Sequence, residues 1–257
     1  MLIVVSPAKS LDYESPLATT KYTQPGMLER SVELIAIMRT KSAAEVGTLM
    51  SISPSLAQLN VERYADWEPK FTKQNSRQAL LAFNGDVYDG MAAKTTFSDD
   101  DFAYAQKTLR ILSGLHGLLR PLDLMMPFRL EMGTKLHTPG GSNLYDFWGD
   151  DITVAINTAV KKSPGDRVLV NLASQEYFES VKRPKLTAPV ISPAFYDHGP
   201  SGDRKIISFF AKKARGIMSA WIIRERIISA ADLLEFSGAG YEFDAARSTP
   251  DRPVFVR

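Results

Sequence analysis

Residues 108–133 read TLRILSGLHGLLRPLDLMMPFRLEMG, and no other stretch limits the possible folds as tightly. Residues 108–112 form a short apolar run broken by one charge, Arg110, as in a buried strand. Gly114 and Gly117 then bracket a tight bend, where glycine reaches positive φ cheaply and admits close backbone approach. Pro121 stops any helix that would run through residues 118–123. From Pro127 to Gly133 apolar and charged residues alternate, the period of a half-buried strand. A strand, a glycine hairpin leading to Arg120, and a second strand bearing Arg129 and Glu131 would bring charges beside backbone N–H groups. Such a place can hold an anion. The same residues equally suit an ordinary connection between core strands.

Other short apolar runs, at residues 1–5, 79–83, 167–172, 189–196 and 205–210, read as strands. Helical periodicity fills the gaps: 27–40, Ala43–Met50, 54–67, 98–107, 143–160 and 211–228. Ser42, Ser53 (followed by Pro54), Ser98 and Ser174 stand where N-caps belong. Residues 236–243 and 254–257 read as strand pieces, and no repeat or long linker divides the chain. The expected fold is mixed α/β (α+β): one compact domain over residues 1–257. Strands starting at Leu2, Leu80, Leu109, Val168, Val190 and Ile206 should share one mixed sheet surrounded by helices.

The 257 residues are 44% apolar and 23% charged, ordinary for a soluble protein. There is no run of 18 apolar residues to span a membrane, and the N-terminus lacks a basic n-region. The chain has no cysteine, which removes disulfides, Cys-ligated zinc, iron–sulfur clusters and thiol mechanisms and suits the cytoplasm. His116, His137 and His198 are scattered, without i, i+4 ligand spacing. No G-x-S-x-G elbow, G-x-G-x-x-G fingerprint or P-loop occurs. Neither metal nor cofactor is expected, and no residue is marked as catalytic.

The net charge of +2 conceals an uneven distribution. Residues 204–226 hold seven Lys or Arg and one acid, Glu225, so this segment carries +6 and the rest of the chain −4. On a helix, Ala214, Ile217, Trp221 and Ile228 would share an apolar stripe, with Lys212, Arg215 and Arg226 opposite. Lys212 and Lys213 would lie in the first turn, where the macrodipole disfavours cations and a bound anion would offset the cost. A solvated basic face is the alternative. At the other end of the chain, the first strand delivers Ser6-Pro7-Ala8-Lys9-Ser10 through a proline turn, a common way to present site residues. Ser6 as a turn cap and Lys9 as a surface residue is the plainer possibility. Asn84 and Asp86 read as ordinary turn residues.

Several motifs occur in order: Ser6-Pro7-Ala8-Lys9, Phe83-Asn84-Gly85-Asp86-Val87-Tyr88, residues 112–121, Tyr145-Asp146-Phe147-Trp148, Asn171-Leu172-Ala173-Ser174 and Ala211-Lys212-Lys213-Ala214-Arg215-Gly216. Together they closely resemble the bacterial YaaA family of peroxide stress resistance proteins. The resemblance covers essentially the whole chain. It implies a cytoplasmic protein made under hydrogen peroxide stress that limits unincorporated iron, and it implies DNA binding with a basic cleft and a helix-hairpin-helix element. On that resemblance, residues 114–117 would be the hairpin holding a DNA phosphate without reading bases. Two residues, Leu115 and His116, lie between its glycines where the usual pattern has one.

The candidate DNA- or anion-binding residues are therefore Lys9, Gly114, His116, Gly117, Arg120, Arg129, Lys212, Lys213 and Arg215, with DNA as partner through largely phosphate-backbone contacts. The competing expectation is an enzyme acting on a small anionic or nucleotide-like substrate at Lys9, Arg129 and Glu131. The strand-end residues Lys9, Arg129, Lys212 and Arg215, with Arg120, should face one cleft.

Overall fold

Leu2–Val5 (β1) is four fully buried apolar residues, and the main sheet is built outward from it. In the computed structural model, which describes residues 1–199 and 203–257, β1 lies between two parallel neighbours. These are Leu109–Ser113 (β2), with Ile3 opposite Leu109, and Leu169–Leu172 (β4), with Leu2 opposite Leu169. Gly117–Leu119 (β3) folds back antiparallel on β2, and Val190–Ile191 (β5) runs parallel to β4, giving the order β3-β2-β1-β4-β5. The central strands read as near-continuous apolar runs because both faces are covered. After β1 the chain reaches β2 on one side, and later returns to β4 on the other. Such a reversal opens a crevice beyond the carboxyl ends of the parallel strands.

A second sheet holds Ala194–His198 (β6), Arg204–Lys205 (β7), Glu242–Phe243 (β8) and Val254–Val256 (β9), in the order β7-β6-β9-β8. Phe195 stacks on Phe255, and Phe236 and Tyr241 meet Phe195 edge-on. The hydrophobic core that includes Phe195 and Phe255 is contiguous with the one around β1.

The mixed α/β fold stands, but the single sheet expected from the sequence is replaced by these two sheets and two short two-stranded pairs. Residues 189–196 are two strands in different sheets, divided at Ser192-Pro193, because proline has no N–H to give a ladder. Ala79–Ala82 is a helical turn instead of a strand. Four small or straight apolar residues carry no period, and the Asp123 and Pro121 carbonyls accept the Ala79 and Leu80 N–H groups. In the 205–210 run only Lys205 lies in a strand, and the helix Ser208–Arg224 begins earlier than its periodicity suggested. Residues 127–133 join no ladder and end in a turn closed by the Thr134 N–H donating to the Glu131 carbonyl, although Phe128, Leu130 and Met132 are buried and Arg129 and Glu131 only half-buried.

Local signals worked where they were local. Ser42 and Ser98 form capping boxes with Glu45 and Asp101, and Ser53 and Ser174 cap the helices that follow them. The helical region 143–160 is interrupted at Gly149, whose φ of +47° an L side chain rarely adopts.

Ser208–Arg224 packs closely on the short helix Asp86–Met91. A Cβ on Gly216 would run into the Val87 carbonyl, and one on Gly90 into the Lys213 carbonyl. The two glycines thus bring the backbones together. The buried face of Ser208–Arg224 is not the expected stripe: Ala211, Ala214, Met218, Ser219, Ile222 and Ile223 are enclosed, whereas Ile217 and Trp221 are half-buried and Ile228 lies beyond the helix, exposed. Arg226 lies outside the helix and pairs with Asp101 at 2.8 Å.

Candidate functional site

Ser6 leaves the end of β1 and Ser174 the end of β4, adjacent parallel strands. The Ser174 N–H donates to Ser6 Oγ at 2.8 Å, and the two hydroxyl oxygens lie 3.2 Å apart. Tyr88 OH donates to the Ser6 carbonyl at 3.1 Å. These bonds staple the two strand-end loops to the Asp86–Met91 helix. A cleft of about 420 Å³ opens there. Its walls carry Lys9 and Ser10 from the first loop, Asn84 and Asp86 from the turn after residue 83, Glu176 and Tyr177 from the Ser174 turn, and Lys212 and Arg215 from the long helix.

The cations differ in how they are satisfied. Lys9, two-thirds exposed, pairs with Glu131 at 3.0 Å, and the same carboxylate accepts from Arg129 at 2.7 Å. Lys212 is exposed and stands 3.8 Å from Asp86, a loose pair. Lys213 is exposed on the same turn but is not in the cleft wall. Arg215 is half-buried, and its guanidinium has no carboxylate or hydrogen-bond partner among the described residues. Burial depresses its pKa, the mark of a charge short of compensation. Tyr88 and Tyr177 are buried in the same walls, and desolvation holds both phenols above their usual range, so they stay neutral.

Lys9 and the helix turn bearing Lys212 and Arg215, remote in sequence, therefore meet at one cleft, with Arg129 behind Lys9 through Glu131. Arg120 does not join them. It donates to Asp123 through Nε at 3.0 Å and Nη2 at 2.8 Å, and to the Gln24 carbonyl, neutralising a buried carboxylate.

The glycine hairpin is the larger correction. It is the β2–β3 turn rather than a helix-hairpin-helix, and residues 114–117 are all buried. Trp148 Nε1 donates to the Gly114 carbonyl at 2.9 Å, and a Cβ on Gly114 would strike the Leu130 carbonyl. Gly117, at φ +63°, lies against Met27 and Trp148. His116 is enclosed by Trp67, Phe71 and Phe128 and stands 3.0 Å from Ser31 Oγ; burial alone lowers its pKa to about 3. Gly114, His116 and Gly117 belong to the core and are not placed to meet a phosphate.

Asn84, Asp86, Glu176, Tyr88 and Tyr177 line the cleft without having been expected there. Their only signal in the sequence was their position just after apolar runs or a capping serine. No three His, Asp or Glu side chains among the described residues are grouped to hold a metal ion, and no helix among them is long and apolar enough to cross a membrane.

A crevice at the carboxyl ends of parallel strands, walled by cations from two remote segments, defines an α/β protein with a polar, cation-bearing cleft. The family model described as "Peroxide stress protein YaaA" matches residues 1–247. The chain belongs to that family, as the ordered motifs led one to expect.

Proposed function

We propose that this protein acts in peroxide stress by binding DNA through phosphate contacts at the cleft, and that it limits free iron indirectly, by way of DNA. The observation that carries the reading is Arg215, a half-buried guanidinium that lines the cleft without an internal partner. Exposed Lys212 and Lys213 share its helix, and Lys9 lines the same cleft. A phosphate would supply the compensation Arg215 lacks, and the surrounding lysines would extend the contact along a polyanion. The +6 segment and the family's link to peroxide stress support the same reading. A chain without cysteine and with three scattered histidines offers little to sequester iron directly.

The test is an anisotropy titration of an arbitrary duplex across salt concentrations. About three phosphate contacts should give a log–log slope near −3 from this site, and the double variant Lys212→Ala/Arg215→Ala should flatten it by roughly 2. Unrelated duplexes should weaken alike. An unchanged slope would remove these residues from any DNA contact. For iron, cells carrying the double variant should hold as much chelatable iron as cells lacking the protein; wild-type levels would detach iron control from DNA.

A second reading, an enzyme acting on a small anionic or nucleotide-like substrate at Lys9, Arg129 and Glu131, is favoured by one observation. The cleft occupies the place in the sheet where α/β enzymes bind their substrates. Duplex affinity that ignores Lys212 and Arg215, with turnover that depends on Lys9, would put this reading first.

A further inference from the structure

Phosphate contacts alone leave part of this cleft unexplained. A site selected only for phosphates would be lined by cations and neutral donors, because a carboxylate nearby repels the ligand. Yet Asp86 and Glu176 share the walls with Lys9, Lys212 and Arg215. Neither acid is consumed by the fold. Asp86 has only the loose contact with Lys212 at 3.8 Å. Glu176 spends one oxygen on the Gly133 N–H at 2.9 Å, and its second oxygen has no such bond. Asn84, exposed at the cleft, adds an amide that can both donate and accept. The ligand that suits both halves carries an anion at one end and N–H donors at the other. It is also small: about 420 Å³ falls within the ~300–1,000 Å³ range of small-ligand pockets. The neutral side chains of Tyr88 and Tyr177 also line that space.

We propose that the cleft receives a single nucleotide unit, its phosphate held by Arg215 and Lys212 and the N–H edge of its base by Asp86 or Glu176. This deepens the DNA reading, and rests on it, when the nucleotide is an unpaired residue extruded from a strand, as in proteins that flip bases. A free mononucleotide presents the same chemistry, so the experiment separates the two sources.

Calorimetric titrations would compare the four deoxynucleoside 5′-monophosphates with deoxyribose 5-phosphate and inorganic phosphate. At least one nucleotide should bind about tenfold tighter than the baseless sugar phosphate, the worth of one charge-assisted hydrogen bond. Glu176→Gln or Asp86→Asn should erase that advantage while phosphate binding holds or improves. Arg215→Gln should weaken all of these ligands together, and the exposed Lys212→Ala serves the same purpose if Arg215→Gln does not fold. A duplex carrying 2-aminopurine at a mismatch identifies the source: a severalfold rise in fluorescence on binding marks extrusion, and a flat signal with intact mononucleotide binding marks a free nucleotide. If no nucleotide outbinds deoxyribose 5-phosphate and the fluorescence stays flat, the proposal is overturned, while a preserved salt slope on duplex would leave the DNA reading standing. If duplex binding fails but mononucleotides bind, the DNA reading falls and the cleft remains a site for free nucleotides.

Discussion

The glycine hairpin at residues 114–117 and the cleft at the ends of β1 and β4 are both built from glycines, hydroxyls and basic residues. They end in opposite conditions. Around the hairpin, Trp148 satisfies a backbone carbonyl, Ser31 meets His116, and nearby Arg120 is consumed by Asp123. At the cleft, Arg215 has no internal partner and Lys212 only a distant one. Residue type does not separate a structural site from a binding site; whether a charged group is left unpaired at an open cleft does. Two atoms beside the hairpin, His116 Nε2 and Trp67 Nε1, also lack partners, but they are sealed from solvent; an unmet group leaves room for a ligand only where a cleft reaches it, as at Arg215.

The largest break in this comparison should come from filling the close contacts. Gly114→Ala, which drives a methyl against the Leu130 carbonyl, should cost about 3 kcal/mol or more. In a chain of this size that lowers Tm by about 6 °C, readable by calorimetry. Gly216→Ala should cost as much and should also weaken anion binding, because it pushes the cationic wall away from Val87.

Next in size is the pH dependence of the hairpin. The unfolded histidine takes a proton near pH 6.5, whereas burial holds His116 near 3 in the folded state. Its contribution is therefore complete above pH 6.5 and is lost as pH falls toward 3, by about 1.4 kcal/mol per unit. Unfolding free energies at pH 7 and pH 5 should differ by about 2 kcal/mol more in the wild type than in His116→Leu. Equal slopes would mean that His116 is protonated in the fold.

The cleft should respond in the opposite sense. Arg215→Leu removes an uncompensated charge, so stability should hold within about 1 kcal/mol or rise, while affinity for anions falls at least about tenfold. A large loss of stability would show that Arg215 is structural, and would erase the contrast with Arg120. The smallest effect belongs to Lys9→Ala. Its pair with Glu131 is two-thirds exposed on the lysine side, so denaturant unfolding should shift by less than about 0.5 kcal/mol.

What could be read in the sequence follows the same division. Ser42, Ser53, Ser98 and Ser174 were legible as caps because a cap is decided within three residues. The strands at Leu2, Leu109 and Val190 were legible as apolar runs. Ala79–Ala82 was not, since four apolar residues without a period fit a buried strand or a helical turn equally. The bracket of Gly114 and Gly117 announced a tight turn, but nothing local says whether a turn is wet or dry, and that depended on Trp148, Trp67 and Phe128. Lys9, Lys212 and Arg215 were legible as cations. Of the carboxylates that share their cleft, Asp86 was read as a turn residue and Glu176 only as part of the segment Ser174 caps, because both reach the cleft only through tertiary placement.

The pairing of Gly90 with Gly216 also governs when the cleft can exist. Its walls come from residues 6–10, 84–88, 172–177 and 212–215, so the last wall docks only after the helix Ser208–Arg224 is made. All five strands of the main sheet precede residue 192, and the sheet can begin to assemble while the cationic helix is still unmade. At ~5–20 residues per second, the growing chain spends its first ~10–40 seconds without a site. Closing the contact then joins segments far apart in sequence, which places it among the slower events of folding. A nascent or truncated chain ending before Ser208 would carry every strand of the main sheet and keep Lys9, but without Lys212 and Arg215 it should hold polyanions only weakly at this cleft until the helix locks against Val87.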